Sequence, residues 1–192
     1  MKRLFDLVVA AIALLCLSPA MAAVALVIAL QDGRPVLFKQ ERVGRDGKLF
    51  RIYKFRTMHS SHGGPNISAT GDSRVTRIGA HLRKCKADEL PQLANVLRGD
   101  MSLVGPRPEV PEFVQYWPPS AKREILSVRP GITDPASIKF RDEAELLASV
   151  ADPNKYYIHS ILPAKASMYV EYVNSRSFLG DLKILFDTFR SI

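Results

Sequence analysis

The sequence predicts a mainly helical α+β protein: a small cytosolic domain with one short β-hairpin, joined to an N-terminal membrane anchor of helix-break-helix form. Three observations predict it. From Leu7 to Leu30 no residue carries a formal charge and nearly all are Ala, Val, Leu or Ile. β-rich runs are confined to Val36–Val43 and Leu49–Phe55. Beyond them, apolar residues recur at helical spacing between closely set prolines. With 192 residues, the chain has length for one domain plus an appendage, read as an anchor over 1–30 and a cytosolic domain over 31–192.

About 20 apolar helical residues cross a bilayer, so the first segment reads as membrane-embedded. A cleaved signal peptide is one reading, supported by Lys2-Arg3 and by the small-residue site Ala20-Met21-Ala22. Against it, the apolar run continues well past that site. A spanning helix is a second reading, which must accommodate Ser18-Pro19 mid-run; proline removes a helix hydrogen bond and clashes with the preceding turn. A neighbouring serine hydroxyl can satisfy the freed carbonyl inside lipid. The flanking charges favour a third reading. Lys2 and Arg3 precede the segment, and Arg34, Lys39, Arg42, Arg45 and Lys48 follow it, whereas positive residues prefer the cytoplasmic side. A re-entrant anchor that turns at Ser18 and Pro19 puts both positive ends on that side.

Val36–Val43 and Leu49–Phe55 are joined around Arg45-Asp46-Gly47, a hairpin turn. Residues 59–72 hold Ser60, Ser61, Gly63, Gly64, Pro65 and Gly71 and read as a mobile loop beside a site. A short basic helix is expected around Gly79–Lys86. A second begins at Asp88, because Leu90, Leu93, Ala94 and Leu97 form one face, Pro91 fits only a first turn and Gly99 is a natural stop. Prolines at 106, 108, 111, 118, 119, 130 and 135 then imply loops and short elements. Ala164–Val173 and Phe178–Phe189 read as closing helices. The stripe Leu182, Leu185, Phe186 and Phe189 suits a core, or an amphipathic helix lying in the membrane interface.

Twenty-seven Lys+Arg against 19 Asp+Glu give a net charge of +8, and residues 31–107 hold essentially all of that excess. A basic block implies an anionic partner: nucleic acid, a phosphate-bearing substrate or acidic lipid. No recognition helix, zinc finger or RNA-binding signature is present, so nucleic acid is not expected. Two cysteines, Cys16 and Cys85, exclude a disulfide scaffold and fall short of a zinc site.

Asp88 and Glu89 open a helix beside Arg83, Lys84 and Lys86. Such a pair can be nothing more than a cap and a dipole-stabilising carboxylate. The same helix end and cations also keep carboxylates ionised and attract phosphates, and adjacent carboxylates suit a magnesium ion shared with substrate phosphates. Arg107, between Pro106 and Pro108, is either part of a rigid surface turn or a pre-positioned fork for phosphate oxygens. Lys54 and Arg56, interleaved with Tyr53 and Phe55, fit a solvated face as well as a phosphate site.

Taken in order, Lys54-Phe55-Arg56-Thr57-Met58, Asp88-Glu89-Leu90-Pro91-Gln92-Leu93, Gly99-Asp100-Met101-Ser102-Leu103-Val104-Gly105-Pro106-Arg107-Pro108 and Arg129-Pro130-Gly131-Ile132-Thr133 resemble the bacterial sugar transferases, the small monotopic phosphoglycosyl transferases. The resemblance runs from Ser18-Pro19 to Asp181-Leu182-Lys183-Ile184. It implies transfer of a sugar-1-phosphate from a UDP-sugar to polyprenyl (undecaprenyl) phosphate in the cytoplasmic leaflet of the bacterial inner membrane, releasing UMP and initiating surface glycan assembly. It further implies Asp88 as nucleophile of a covalent phospho-sugar intermediate, Asp88 and Glu89 as Mg2+ ligands, Lys54, Arg83 and Arg107 as phosphate-handling cations, and a family aspartate at Asp181; Arg56, beside Lys54, is counted with these as substrate-binding, as is Asp181. Downstream glycosyltransferases and a second copy of the chain are candidate partners. A non-catalytic basic module binding acidic lipid or a partner protein accounts for the anchor and the charge, but not for the placing of Asp88-Glu89 and Pro106-Arg107-Pro108.

One segment departs from the family. Many relatives follow Pro-Gly-Ile-Thr with a Gly-Trp-Ala-Gln-Val-Asn-Gly-Arg type sequence, where this chain has Asp134-Pro135-Ala136-Ser137-Ile138-Lys139-Phe140-Arg141. That change bears on sugar specificity rather than on the acid pair.

Overall fold

In the computed structural model, residues 1–59 and 67–191 are described, so half of the expected loop at 59–72 lies outside the described residues. The chain opens with helix α1, Lys2–Gln31. It is continuous through Pro19 rather than broken there. The reason is local: Pro19 has no N–H for the Leu15 carbonyl four residues back, and Ser18 Oγ donates to that oxygen instead at 2.8 Å. At 1.5 Å per residue, 30 residues extend about 45 Å, long and apolar enough to cross a membrane.

The two halves of α1 pack on different parts of the domain. Phe5, Val9, Ala10 and Leu14 join Leu93, Val96, Met101 and Leu103, whereas Met21, Val24, Ala25 and Ile28 meet Phe55 and Leu82. Between them, Leu15–Ala20 are exposed. Both ends are also bonded down. Lys2 Nζ donates to the Val104 carbonyl at 3.1 Å and pairs with Asp181, while Arg3 donates to the Val96 carbonyl at 2.8 Å. Buried Asp6 accepts from Ser102 Oγ at 2.8 Å. At the far end, Arg56 donates to the carbonyls of Asp32 and Gly33, 2.7 Å each, satisfying oxygens that a helix terminus leaves open.

Strands β1 (Leu37–Val43) and β2 (Leu49–Phe55) form the expected antiparallel hairpin, in register from Leu37↔Phe55 to Val43↔Leu49. Helix α2, Arg77–Lys84, is capped by Thr76, whose hydroxyl accepts from the Gly79 N–H at 3.0 Å. A 3-10 turn, Ala87–Gln92, then leads into α3, Leu93–Arg98. Sequence reading expected one helix from Asp88. Pro91 cannot donate, so α-helical bonding starts only beyond it. Gly99 closes α3 at φ 92°, a left-handed cap that suits glycine.

Strand β3 (Ser102–Val104) is followed by α4 (Pro111–Val114), α5 (Pro119–Ile125) and β4 (Gly131–Thr133). β3 and β4 pair in parallel, an element too short for alternation to announce. At its end two glycines meet: a Cβ on Gly131 would lie 2.1 Å from the Gly105 nitrogen, and one on Gly105 would lie 2.6 Å from the Arg129 carbonyl. The remaining elements are α6 (Pro135–Lys139), α7 (Glu143–Ala148), α8 (Pro153–Tyr156), a π-helical turn Tyr157–Ile161, α9 (Leu162–Ser175) and α10 (Phe178–Ser191). Of the prolines expected to mark loops and short elements, Pro111, Pro119 and Pro135 open the short helices α4, α5 and α6, where a missing N–H costs nothing. These helices close a core around Phe113, Trp117, Ile125, Leu147, Ile161 and Tyr169.

α10 divides its predicted stripe. Ile184 and Leu185 pack toward the cluster beneath α1, while Phe178, Leu179, Phe186 and Phe189 are exposed. Exposed Leu4, Val8, Ile12 and Leu15 lie along α1, and Phe178 meets Phe5 edge-on at 5.3 Å.

Candidate active site

The acid pair lies in the 3-10 turn between α2 and α3, and three cations are brought to it from different parts of the chain. Lys54 comes from β2, Arg83 from the last turn of α2 and Arg107 from the segment after β3. Glu89 is the hub. Its Oε1 accepts from Lys54 Nζ at 2.6 Å and from Arg107 Nη2, and its Oε2 accepts from Arg107 Nη1 at 3.1 Å. The Arg107 fork thus grips both carboxylate oxygens, with side chains only 27% and 13% exposed. Burial would raise the Glu89 pKa, but Arg107 and Lys54 hold it well below the usual carboxylate range. Arg107 is raised in turn, chiefly by Glu89, and Lys54 is lowered by burial in spite of Glu89.

Asp88 is different. It is 7% exposed, yet its carboxylate accepts no hydrogen bond from any described residue. Burial pushes its pKa up, Lys54 offsets part of that, and neighbouring Glu89 raises it further. Arg83 is close enough to lower it, and is itself held by Thr57 Oγ1 at 2.9 Å and Ser68 Oγ at 2.9 Å. Two adjacent carboxylates therefore have separate duties. Glu89 is ionised and spent on cations. Asp88 is buried as a residue, bonded to none of these cations, and keeps its carboxylate oxygens open to a ligand.

The surroundings fix this geometry. Asn95, fully buried in α3, accepts from the Tyr53 N–H at 3.1 Å and donates to the Arg51 carbonyl at 2.8 Å, which holds the acid-pair helix to the strand bearing Lys54. Arg42 donates to the Pro108 carbonyl at 3.0 Å and faces Glu109 at 3.6 Å, and Tyr157 donates to Glu109 at 2.7 Å. The residues following Arg107 are clamped by these contacts. Neither Asn95 nor Arg42 had a sequence signal beyond its type.

The structure therefore brings Lys54, Asp88, Glu89, Arg83 and Arg107 together. Arg56 is turned to the end of α1, and Asp181 bonds Lys2 and, at 2.8 Å, the Tyr172 hydroxyl. Ser18 and Pro19 lie on the exposed stretch of α1. The divergent segment has a structural role: Asp134 caps α6, accepting from the Ala136 N–H at 2.7 Å and the Ser137 N–H at 3.0 Å, with Pro135 in the first turn.

Among the described residues no three His, Cys, Asp or Glu side chains gather to hold a metal ion by themselves. The charge balance still suits one shared with a ligand. Three cations against two carboxylates leave a single positive charge, and a bound diphosphate brings at least two negative ones. Asp88 has oxygens to offer a hard divalent ion, whereas those of Glu89 are already engaged.

The bacterial sugar transferase family model matches residues 1–192. The chain is 41% identical to a UDP-N-acetylgalactosamine-undecaprenyl-phosphate N-acetylgalactosaminephosphotransferase of Aeromonas hydrophila, covering all of this chain and 43% of that protein. It is 38% identical to a UDP-glucose:undecaprenyl-phosphate glucose-1-phosphate transferase of Caulobacter vibrioides, covering all of this chain and 69% of that one. With the sugar transferase EpsL of Bacillus subtilis the identity is 39%, over all of this chain and 87% of EpsL. The chain thus spans less than half of the first relative and most of the other two.

Proposed function

This chain belongs to the bacterial sugar transferase family, and from that premise we propose that it moves a sugar-1-phosphate from a UDP-sugar to undecaprenyl phosphate. The observation that carries the proposal is the pairing of a buried, unpartnered Asp88 with a Glu89 saturated by Lys54 and Arg107. A module that only bound acidic lipid would have no use for burying Asp88 without a partner.

The proposed reaction has two displacements. An Asp88 carboxylate oxygen bonds to the sugar-bearing phosphorus, the bridging P–O bond breaks, and UMP leaves with its electron pair. A phosphate oxygen of the polyprenyl acceptor then attacks the same phosphorus and frees the carboxylate, leaving a diphosphate-linked sugar on the lipid. Each step puts an anion against an anion, so positioned cations are the main catalytic resource. In this scheme Arg107 and Lys54 transfer part of their hydrogen bonding from Glu89 to substrate oxygens, and Arg83 adds a further positive charge near Asp88. The covalent intermediate lets a soluble donor and a membrane acceptor bind in turn. A magnesium ion, held by Asp88 with the substrate phosphates and by Glu89 as its ion pairs loosen, would neutralise diphosphate charge.

The membrane arrangement we propose is monotopic, with the catalytic domain on the cytoplasmic face of the inner membrane. Both ends of α1 are bonded to one domain, through Lys2, Arg3 and Asp6 at the start and Arg56 at the end. While those bonds last, neither end can cross to the other side, which supports a re-entrant anchor dipping in at Leu15–Ala20. The exposed Phe178, Leu179, Phe186 and Phe189 suit α10 to lie in the interface.

Mixing the protein with UDP-sugars in the absence of acceptor and weighing it intact tests the mechanism. A mass gain of one phospho-sugar, accompanied by UMP and absent from Asp88→Asn, is expected. Product formation without any adduct and undiminished by Asp88→Asn would overturn it.

A further inference from the structure

The proposed reaction gives the acceptor's phosphate a destination and its hydrocarbon chain none. An apolar groove of about 530 Å³ runs between α1 and the domain, within the size range of ligand pockets. Leu14 and Met21 line it from either side of Ser18-Pro19, Tyr53 and Phe55 from β2, and Pro91 and Ala94 from the acid-pair segment. We propose that this groove holds the first isoprene units of the polyprenyl phosphate acceptor, an inference that rests on the transferase reading.

Three features choose that occupant. In a 3-10 helix, side chains three apart stack on one side. Pro91, in the groove wall, is therefore one turn of Ala87–Gln92 from Asp88 on the same side, about 6 Å along the axis at 2 Å per residue. A polyprenyl chain is esterified directly to its phosphate, so a chain lying against Pro91 keeps the phosphate beside that carboxylate. A diacyl lipid interposes glycerol and a second chain. The groove also lies beneath the stretch of α1 that is exposed, where a chain can enter from the bilayer. Finally, the polar boundary is cationic: Arg98 stacks over the Tyr53 ring, 4.9 Å from its centroid, with Lys39 5.8 Å from the same ring.

The test uses the full chain in nanodiscs. Ala94→Trp fills the groove. The expected result is a KM for long-chain polyprenyl phosphate raised about tenfold, an acceptor of two isoprene units affected less, and phospho-sugar adduct formation from donor alone at the normal rate. Normal adduct formation also reports that the variant is folded; if it is not, Ala22→Trp, exposed on α1 in the same lining, replaces it. An unchanged acceptor KM in a folded variant overturns the proposal. In parallel, an acceptor carrying a diazirine on its second isoprene unit should label residues 14–25 or 91–98, and unlabelled acceptor should displace it. Labelling there by a diazirine phospholipid that acceptor does not displace would mean that the groove holds bulk lipid, which also overturns it. A wild-type protein that made no adduct and no product from any UDP-sugar would refute the transferase reading, while the photolabelling would still report on the groove.

Discussion

Replacing Arg107 by lysine isolates geometry from charge. The wild-type guanidinium meets both oxygens of Glu89, with Nη1 at 3.1 Å from Oε2 and Nη2 on Oε1, in a site where Lys54 already occupies Oε1 at 2.6 Å. A lysine keeps the charge but cannot span both oxygens, nor grip two oxygens of a phosphate. One of the two charge-assisted hydrogen bonds that the fork would give a substrate phosphate is therefore lost, about 1.5–3 kcal/mol. At about 1.36 kcal/mol per decade, that is roughly a 10- to 150-fold fall in kcat/KM for the UDP-sugar. UMP release under steady-state conditions, with both substrates varied, measures it, and thermal unfolding runs alongside. The fall should appear in turnover with little change in Tm, because the buried carboxylate still has two cations. Wild-type kinetics in Arg107→Lys would refute the reasoning and reduce the fork to a structural clamp. Arg107→Ala should behave differently, costing about 3–5 kcal/mol of stability because Glu89 loses half of its neutralisation while buried.

Four further outcomes follow from the same structure. Asp88→Asn should lower turnover by about 10⁴-fold or more while raising Tm at neutral pH, since folding raises the pKa of this acid and its ionised form is a burden on the folded state; the sign requires the Tm gap to close as pH falls toward the unfolded value near 4, and a gap that widened there would contradict it. Wild-type turnover should likewise decline with acidification as Asp88 takes up a proton, measured as kcat against pH. Gly131→Ala forces a Cβ into the Gly105 backbone and should cost about 1–3 kcal/mol in a denaturant or thermal melt, with activity lost as the segment bearing Arg107 shifts. Pro19→Ala should restore the missing N–H and stiffen α1; labelling Lys2 and Lys39 from opposite faces of oriented vesicles, in the wild type, would end the re-entrant reading.

Much of the domain was legible because local signals agreed. The hairpin announced itself through two β-rich runs and Arg45-Asp46-Gly47, and the stop at Gly99 through its position after an apolar face. Asp88-Glu89 could be placed at a helix start because Pro91 permits little else. What escaped the sequence was long-range. The parallel pairing of β3 with β4 rests on three-residue strands, too short to show a period, and the contact of Gly105 with Gly131 joins segments that only the fold brings together. Arg56 and Asp181 illustrate the same limit. Their residue types suit phosphate chemistry, but their named contacts are the end of α1 and the ammonium of Lys2. Nothing in the local text announces that an arginine two residues past a lysine of the site also reaches the end of an N-terminal helix.

Strand β2 has a consequence beyond its hairpin. Within three successive residues it sends Lys54 to the acid pair, Phe55 into the cluster beneath α1 and, just past its end, Arg56 to the carbonyls of Asp32 and Gly33 that follow that helix. The seat of the apolar helix and the reacting group are thus linked by a few ångströms of stiff backbone rather than a tether. In the monotopic arrangement proposed above, the depth at which α1 is seated therefore fixes the height of the Asp88 carboxylate, because no flexible segment lies between them.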